Sequence, residues 1–297
     1  MLGMRLLMIG ALGLALAGWA HAVELRLKWE VGKRYTFEVS SSTAMTMTVG
    51  DKAMASESDM AQEICYKAAL HEKGTEVTME VESIKMGMRV NGQAMMDYDS
   101  KKNPEGGVLG ASFKPILDLK ARAIYDKDGE IVEISGLDGL VGLDQVGSGA
   151  EQIEMMMREA SQLMPGKDVA VGESWKSMVE FPMAPLAKEP ATMVFDLKLE
   201  AMEEKDGKEL ARISLTGRIE NQQENGAEAP LQLRSKSISG EILFDAELGQ
   251  PRESGMKMEL EMGVPEDVPL AEGAPGKIPM TIVTSQKLLS VENVEKE

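Results

Sequence analysis

The chain has 297 residues and a formal net charge of −17, with one cysteine and two histidines. Its length allows two modest domains or one large one. The strong acidity argues against nucleic acid and anionic lipid surfaces as partners, because both are negatively charged. A single cysteine excludes an intramolecular disulfide.

The first 22 residues have the pattern of a secretory signal peptide. Arg5 precedes an apolar run at residues 6–16, and Ala20-His21-Ala22 supplies the small residues of a cleavage site. We therefore expect cleavage after Ala22 and a periplasmic or secreted protein. A membrane anchor is the alternative, but the apolar run is short for a span. No later segment is long and apolar enough, so we expect no membrane span after signal removal.

The first half of the mature chain, residues 23–140, is predicted to be β-rich. Apolar residues alternate with polar ones on both sides of a turn at Gly32, which is the period of two of a half-buried strand. Residues 103–110 are predicted to be a loop, and residues 113–117 a short helix or turn. Further turns are predicted at Gly50-Asp51, Glu72-Lys73-Gly74 and Asn91-Gly92.

The clearest hairpin signal lies at residues 122–135. Two β-prone runs flank Asp128-Gly129, and Asp-Gly in that position is typical of a tight hairpin. A similar pattern returns at residues 238–256, where Phe244-Asp245 precedes a glycine.

The first of these turns, Asp126-x-Asp128-Gly129, also resembles the start of a calcium-binding loop. The twelfth position of such a loop holds a bidentate glutamate, and here it would be Leu137, which cannot coordinate a cation. We therefore interpret the segment as a hairpin turn.

The linker, residues 141–170, is predicted to contain one helix. Apolar residues recur at helical spacing over residues 151–164, and Pro165-Gly166 ends the pattern. Residues 136–149 before the helix are rich in glycine and are predicted to be irregular.

The second half, residues 171–297, repeats features of the first. Val171-Gly172 lies three residues before Trp175, as Val31-Gly32 lies before Tyr35. Loops are predicted at 182–190 and 221–230, a proline-rich segment at 265–279, and a final strand from 278 to 289. We predict a mainly β (β-rich α+β) protein of two similar curved antiparallel sheets, related by internal duplication and joined by one helix. The alternative is two unrelated meanders that share turn chemistry.

Catalytic candidates are few. His71 is the one histidine left after signal removal, and it lies beside a turn, whereas nucleophilic triads and zinc hydrolases need positioned imidazoles. Cys65 lies two positions from both Glu63 and Lys67 and so shares their face of the strand, and we therefore expect an inert thiol on the wetter face. Trp29 and Trp175 each lie near the first strand of a half, which favours packing over sugar stacking. We predict no catalytic, cofactor-binding or metal-binding residues and therefore no enzyme.

Methionine is unusually frequent, with 24 in the sequence. Met-x-Met occurs three times, and in a strand both side chains of each pair point to the same face. Packing in a core is the first interpretation, because methionine adapts to irregular gaps. A lipid-lined cavity and a Cu(I) site are alternatives, since soft thioethers suit Cu(I). The pairs are Met45/Met47, Met86/Met88 and Met256/Met258.

Short motifs over nearly the whole mature chain resemble an uncharacterised family of exported bacterial proteins, known as a domain of unknown function. They are Leu27-Lys28-Trp29-x-x-Gly32-x-x-Tyr35-x-Phe37, Tyr125-Asp126-x-x-Gly129-x-Ile131, and Val169-x-Val171-Gly172-x-Ser174-Trp175 after Pro165. The resemblance implies an exported protein and carries no catalytic residue. More distantly, the predicted topology is similar to half-barrel carriers of lipids and lipoproteins, which implies no site residues.

These observations predict an exported, non-enzymatic binding or structural protein of the cell envelope. Its partner would be another protein or a hydrophobic ligand. One alternative is a carrier whose concave, methionine-rich face holds an acyl chain. Another is a hydrolase that uses two close carboxylates facing into a cleft.

Overall fold

A computed structural model describes residues 22–49, 52–140, 149–181, 191–220, 232–263 and 277–294. The described chain is mainly β, as predicted, with two α-helices. The strands are β1 (Ala22–Leu25), β2 (Lys33–Val49), β3 (Lys52–His71), β4 (Gly74–Val90), β5 (Gln93–Asp99), β6 (Lys120–Tyr125), β7 (Ile131–Ser135), β8 (Lys167–Ala170), β9 (Ser174–Phe181), β10 (Ala191–Lys205), β11 (Lys208–Glu220), β12 (Gln232–Asp245), β13 (Gln250–Gly263) and β14 (Lys277–Asn293). The helices are α1 (Gly107–Leu117) and α2 (Ala150–Ser161).

Twelve strands form one antiparallel sheet. Its order is β7-β6-β4-β3-β2-β14-β13-β12-β11-β10-β9, with β5 also paired to β4, while β1 and β8 form a separate two-stranded ribbon. The two halves therefore form one continuous sheet, not two sheets joined by a helix alone. The halves are joined because the last strand, β14, pairs with β2; in this pairing Leu288 lies opposite Phe37. Alternation of residues along a strand carries no information about such a distant partner.

The predicted hairpins are confirmed. In the β6–β7 turn, Asp126 Oδ1 accepts hydrogen bonds from the backbone N–H groups of Asp128 (2.9 Å) and Glu130 (3.0 Å). Gly129 follows with φ 85°, a left-handed conformation that favours glycine. The predicted turns at Glu72-Lys73-Gly74 and Asn91-Gly92 also join paired strands. The predicted Gly50-Asp51 turn lies outside the described residues.

The helices differ from the predictions at their ends. Helix α1 begins at Gly107, so residues 107–110 are helical and not loop; packing of Phe113 on Tyr98 (ring centroids 5.3 Å apart) holds the helix against β5. Helix α2 confirms the predicted linker helix but ends at Ser161, ahead of Pro165. Strand β14 starts at Lys277, within the segment predicted to be proline-rich. The loops predicted at 182–190 and 221–230 lie outside the described residues.

The sheet is amphipathic. One face, which we call the outer face, carries charged side chains that pair with charged side chains of other strands. Examples are Arg34–Glu82, Lys67–Glu80 (2.6 Å), Lys205–Glu253 (2.6 Å) and Lys277–Glu261 (3.0 Å). The other face, the inner face, carries the apolar residues. Because polar and apolar residues alternate along each strand, only the inner face has to be covered.

The two edge strands, β7 and β9, contact the same short segment of chain. Arg158 of α2 donates a hydrogen bond from Nη1 to the Ile131 carbonyl of β7 at 3.1 Å. Trp175 of β9 donates from Nε1 to the carbonyl of Leu163, just beyond α2, at 3.1 Å. One segment can reach both edges of a twelve-stranded sheet only if the sheet curls around it. The inner face, which packs against α2, is therefore concave.

Buried clusters fill one end of this curl, and on β10–β13 the buried residues extend to Met193 and Leu260 near the other end. Leu25 and Val169, from the β1–β8 ribbon, pack on β10–β13. Ile153 and Met157 of α2 pack over β4 and β6, and α1 packs on Val81 and the residues beside it. The covered end is the one where the β3–β4, β6–β7, β10–β11 and β12–β13 turns lie. No helix in the described ranges is long and apolar enough to cross a membrane.

Candidate functional site

The opposite end of the inner face carries a band of methionines, which we call the methionine face. It extends over five neighbouring strands, β5, β4, β3, β2 and β14. Seven of its side chains are half-buried, and that of Met54 is exposed. Its members are Met45, Met47, Met54, Met60, Met86, Met88, Met96 and Met280.

The register of the strands arranges the methionines in two groups of two opposed pairs, which Ser56 and Ser58 separate on β3. Directly opposed pairs are Met45 and Met280, Met47 and Met54, Met60 and Met86, and Met88 and Met96. Opposed residues of an antiparallel pair have Cβ atoms about 5 Å apart, so their thioethers are in contact range. Except for Met280, these methionines belong to none of the buried clusters of the described chain. They therefore form an apolar surface that no described element covers.

The inner face around the methionines is electrically neutral. Between Val39 and Met47 of β2, and at the facing positions of β3, β4 and β14, no described inner-face side chain is charged. The polar residues there are amides and hydroxyls: Ser41, Thr43, Ser56, Ser58, Gln62, Thr284 and Gln286. A charged ligand group would therefore find no opposite charge on this surface.

An aromatic floor separates the methionine face from the filled end of the curl. The Trp29 ring lies 5.1 Å from that of Tyr35, 5.2 Å from that of Tyr66 and 6.1 Å from that of Tyr125, measured between centroids. Phe37 meets Tyr66 edge-on at 5.8 Å. Burial raises the pKa of Tyr66 and of Tyr125, so both hydroxyls are neutral at physiological pH.

The sequence-predicted methionine pairs each share the inner face, as predicted. Met45/Met47 and Met86/Met88 lie in the uncovered band. Met258, by contrast, is buried in the core of the second half, where core packing is the correct interpretation. Neither the register nor the coverage of the face could be read from Met-x-Met spacing alone.

The two tryptophans pack inside the protein, as predicted. Trp29 belongs to the aromatic floor. Trp175 packs against the large cluster of the second half, and its indole N–H is bonded to Leu163.

Cys65 lies on the charged face, as its alternation predicts, but the expectation that it is on a wet surface is wrong. Its side chain is fully buried because the Arg34 guanidinium covers it, donating from Nε to Sγ at 3.0 Å. Burial raises the pKa of the Cys65 thiol, and Arg34 offsets part of that rise. The thiol is therefore protonated at neutral pH and poorly nucleophilic.

Other candidate chemical groups are dispersed. His71 Nδ1 accepts a hydrogen bond from the Lys73 N–H at 3.2 Å within its turn. Glu80 pairs with Lys67 (2.6 Å) and Lys120 (3.5 Å), and its hydrogen bond to Lys67 is the main reason that its pKa is lowered. Within the described ranges, no three His, Cys, Asp or Glu side chains are grouped closely enough to hold a metal ion.

An open groove of about 530 Å³ crosses the outer face of β2–β5. Its lining includes Asp59, Asp97, Asp99 and Lys85. Asp59 pairs with Arg89 at 3.5 Å, and Asp99 with Lys102 at 3.5 Å. This groove has the character of a solvated charged surface, unlike the neutral inner face.

The sequence matches no protein-family model, and it matches no curated protein. The resemblance to the uncharacterised exported family therefore stays a prediction. Among solved structures, the chain is similar to lipovitellin, with a TM-score of 0.51 and 11% identity. The match covers 91% of this chain and 26% of the lipovitellin chain, so this protein corresponds to about a quarter of that length.

Two further solved structures match with much lower TM-scores. DynF from the dynemicin biosynthesis pathway of Micromonospora chersina has 8% identity and a TM-score of 0.21, over 91% of this chain and 86% of that one. A Bacteroides fragilis protein with a YmcC-like fold has 10% identity and a TM-score of 0.20, over 92% of this chain and 100% of that one. The likeness to lipovitellin, at a TM-score of 0.51, is a likeness of fold to part of that chain.

Proposed function

We propose that this is an exported, non-enzymatic binding protein that holds a hydrophobic ligand against the methionine face. The observation that carries the proposal is the set of eight methionines on the concave side of the sheet, in four opposed pairs that no described element covers and all half-buried except Met54. Methionine side chains are flexible and polarisable, so such a surface adapts to ligands of different shape. Large apolar patches on the surface of a protein are typical of sites that bind a ligand, a membrane or another protein.

The likeness to lipovitellin supports a lipid as the ligand class, because lipovitellin is a protein that makes lipid–protein interactions. We infer by analogy of fold that this chain uses its inner face in a similar way. The signal-like N-terminus makes the cell envelope or the exterior the place where it would act.

Binding of an uncharged fluorophore, N-phenyl-1-naphthylamine, tests the proposal. Its emission rises when it leaves water, so titration of the purified protein reports occupancy of an apolar site. We expect saturable binding, and we expect Met86→Glu to weaken it at least about tenfold, because a carboxylate would have to be desolvated against the apolar probe. Met86→Gln, which keeps the size and adds no charge, should weaken it less.

Met178→Glu is the matched control. Met178 is 65% exposed and lies on the outer face of β9. The same substitution there should leave the affinity within about twofold, while circular dichroism shows that all variants are folded. Equal effects at Met86 and Met178, or no saturable binding by the unmodified protein, would contradict the proposed function.

A further inference from the structure

Two glutamines lie on the inner face at the base of the methionine face. Gln62 of β3 and Gln286 of β14 are the cross-strand neighbours of Val39 in β2, one on each side. Neighbouring strands are about 4.8 Å apart, so the two backbones are about 10 Å apart and both carboxamides project into the concave side. Ser41 and Thr284 occupy the next row toward the methionines.

These polar groups have unused hydrogen-bonding capacity. The one protein partner in the described ranges is the Met60 sulfur, which lies 3.8 Å from Gln62 Nε2 and is a weak acceptor. The side chains of Gln286, Ser41 and Thr284 have no hydrogen-bond partner among the described residues. On the outer face of β3, by contrast, Lys67 pairs with Glu80 (2.6 Å) and Glu63 with Lys101 (2.7 Å).

The glutamines also lie at a boundary. The aromatic floor and the buried Leu288 are on one side of them, and the methionines are on the other. Val39 and Met47 are eight positions apart in β2, a distance of about 26 Å along a strand. That is more than the length of one acyl chain in a bilayer leaflet, about 15 Å.

We propose that the ligand is a neutral acyl ester, bound with its uncharged polar head at Gln62 and Gln286 and its chain along the methionines. This inference rests on the proposed function. Amides and hydroxyls can donate to an ester carbonyl and accept from a free hydroxyl, and both partners are uncharged. An ionised fatty acid or a charged phospholipid head would lose its hydration with no opposite charge to compensate. This face is therefore expected to bind uncharged lipids in preference to charged lipids of the same hydrophobicity.

Competition against N-phenyl-1-naphthylamine tests the assignment with ligands of one chain length. A monoacylglycerol should displace the fluorophore at a concentration at least about tenfold lower than the corresponding free fatty acid at pH 8. The double variant Gln62→Leu/Gln286→Leu keeps side-chain size, and it should lose about tenfold in affinity for the monoacylglycerol while binding the fluorophore within about twofold. Thr46→Leu, at an exposed position on the outer face of β2, is the control and should change neither value.

The outcomes separate this inference from the proposed function. If the fluorophore does not bind at all, the proposed function fails. If it binds but the monoacylglycerol and the fatty acid compete equally, or the fatty acid competes better, the neutral-ester assignment is overturned and the apolar site stands. Loss of fluorophore and monoacylglycerol binding together in the double variant would also overturn it, since the glutamines would then maintain the shape of the site and not recognise a polar head.

Discussion

Replacing Asp245 with asparagine is expected to lower the free energy of unfolding by about 3 kcal/mol, the lower end for breaking a buried ion pair. The Asp245 carboxylate is 1% exposed, and its Oδ2 accepts hydrogen bonds from Arg252 Nε (2.9 Å) and Nη2 (2.7 Å). Its Oδ1 accepts from the Leu248 N–H at 2.9 Å, which fixes the β12–β13 turn. Asparagine keeps one acceptor but leaves Arg252 without its counter-charge. Denaturant unfolding followed by circular dichroism measures the loss.

The pH dependence of the same measurement identifies the cause. Burial raises the pKa of Asp245, but the Leu248 N–H and Arg252 lower it by more, so the pKa is below its usual 3.8. Because the folded-state pKa is depressed, this stabilisation is complete above about pH 4 and is lost as the pH falls through the folded-state pKa. The difference between the two proteins should therefore shrink in acid. A difference that is constant with pH would show that packing, not the charge, is responsible.

Asp206→Asn is the matched control for this prediction. Asp206 lies in the exposed β10–β11 turn with φ 52°, a conformation that asparagine tolerates. The change should shift the free energy of unfolding by less than about 0.5 kcal/mol. An equal loss at Asp206 and Asp245 would mean that any hairpin aspartate has this effect.

Replacing Gly240 with alanine is expected to destabilise the sheet by at least about 3 kcal/mol. A Cβ at this position would lie 2.3 Å from the Gly255 carbonyl oxygen and 3.0 Å from the Met256 Cα of the paired strand β13. Both are backbone atoms that are held by the ladder, so the strands would have to separate. Thermal unfolding should show a large fall in Tm, or the variant should fail to accumulate as folded protein.

Gly255→Ala provides a control on the opposing strand. The nearest atom to its added Cβ would be the Thr284 carbonyl oxygen at 3.8 Å, which is ordinary contact. Alanine there should be neutral or slightly stabilising, by up to about 1 kcal/mol, because it reduces the entropy of the unfolded chain. Comparable destabilisation by both changes would contradict the close approach of β12 and β13 at Gly240.

Much of the local structure could be predicted from the sequence. Asn91-Gly92 and Asp128-Gly129 form hairpin turns, because the glycine of each takes the positive φ that the turn requires. The alternation of Tyr35 and Phe37 with polar neighbours correctly assigns an inner and an outer face. The duplication of the two halves stays a prediction, although Gly32 and Gly172 both have left-handed backbone conformations (φ 83° and 89°).

The parts that could not be predicted depend on contacts between distant residues. Nothing in the local pattern of β14 indicates that it pairs with β2, and this pairing makes the sheet continuous. The burial of Cys65 depends on Arg34, which is far from it in sequence. The candidate site also depends on contacts between distant residues. Met-x-Met spacing predicts that the two methionines of a pair share a face. The grouping of methionines from β5, β4, β3, β2 and β14 depends on the register between these strands.

The claim that a lipid lies against the concave methionine face can be tested by native mass spectrometry of the protein purified from the envelope of its own cells. We expect a discrete added mass at close to one ligand per chain, which is released by organic solvent and is a neutral acyl ester. The adduct should be absent from Met86→Glu and present in Met178→Glu. A bare chain mass from gently handled, folded protein, or an adduct that both variants retain equally, would contradict the claim.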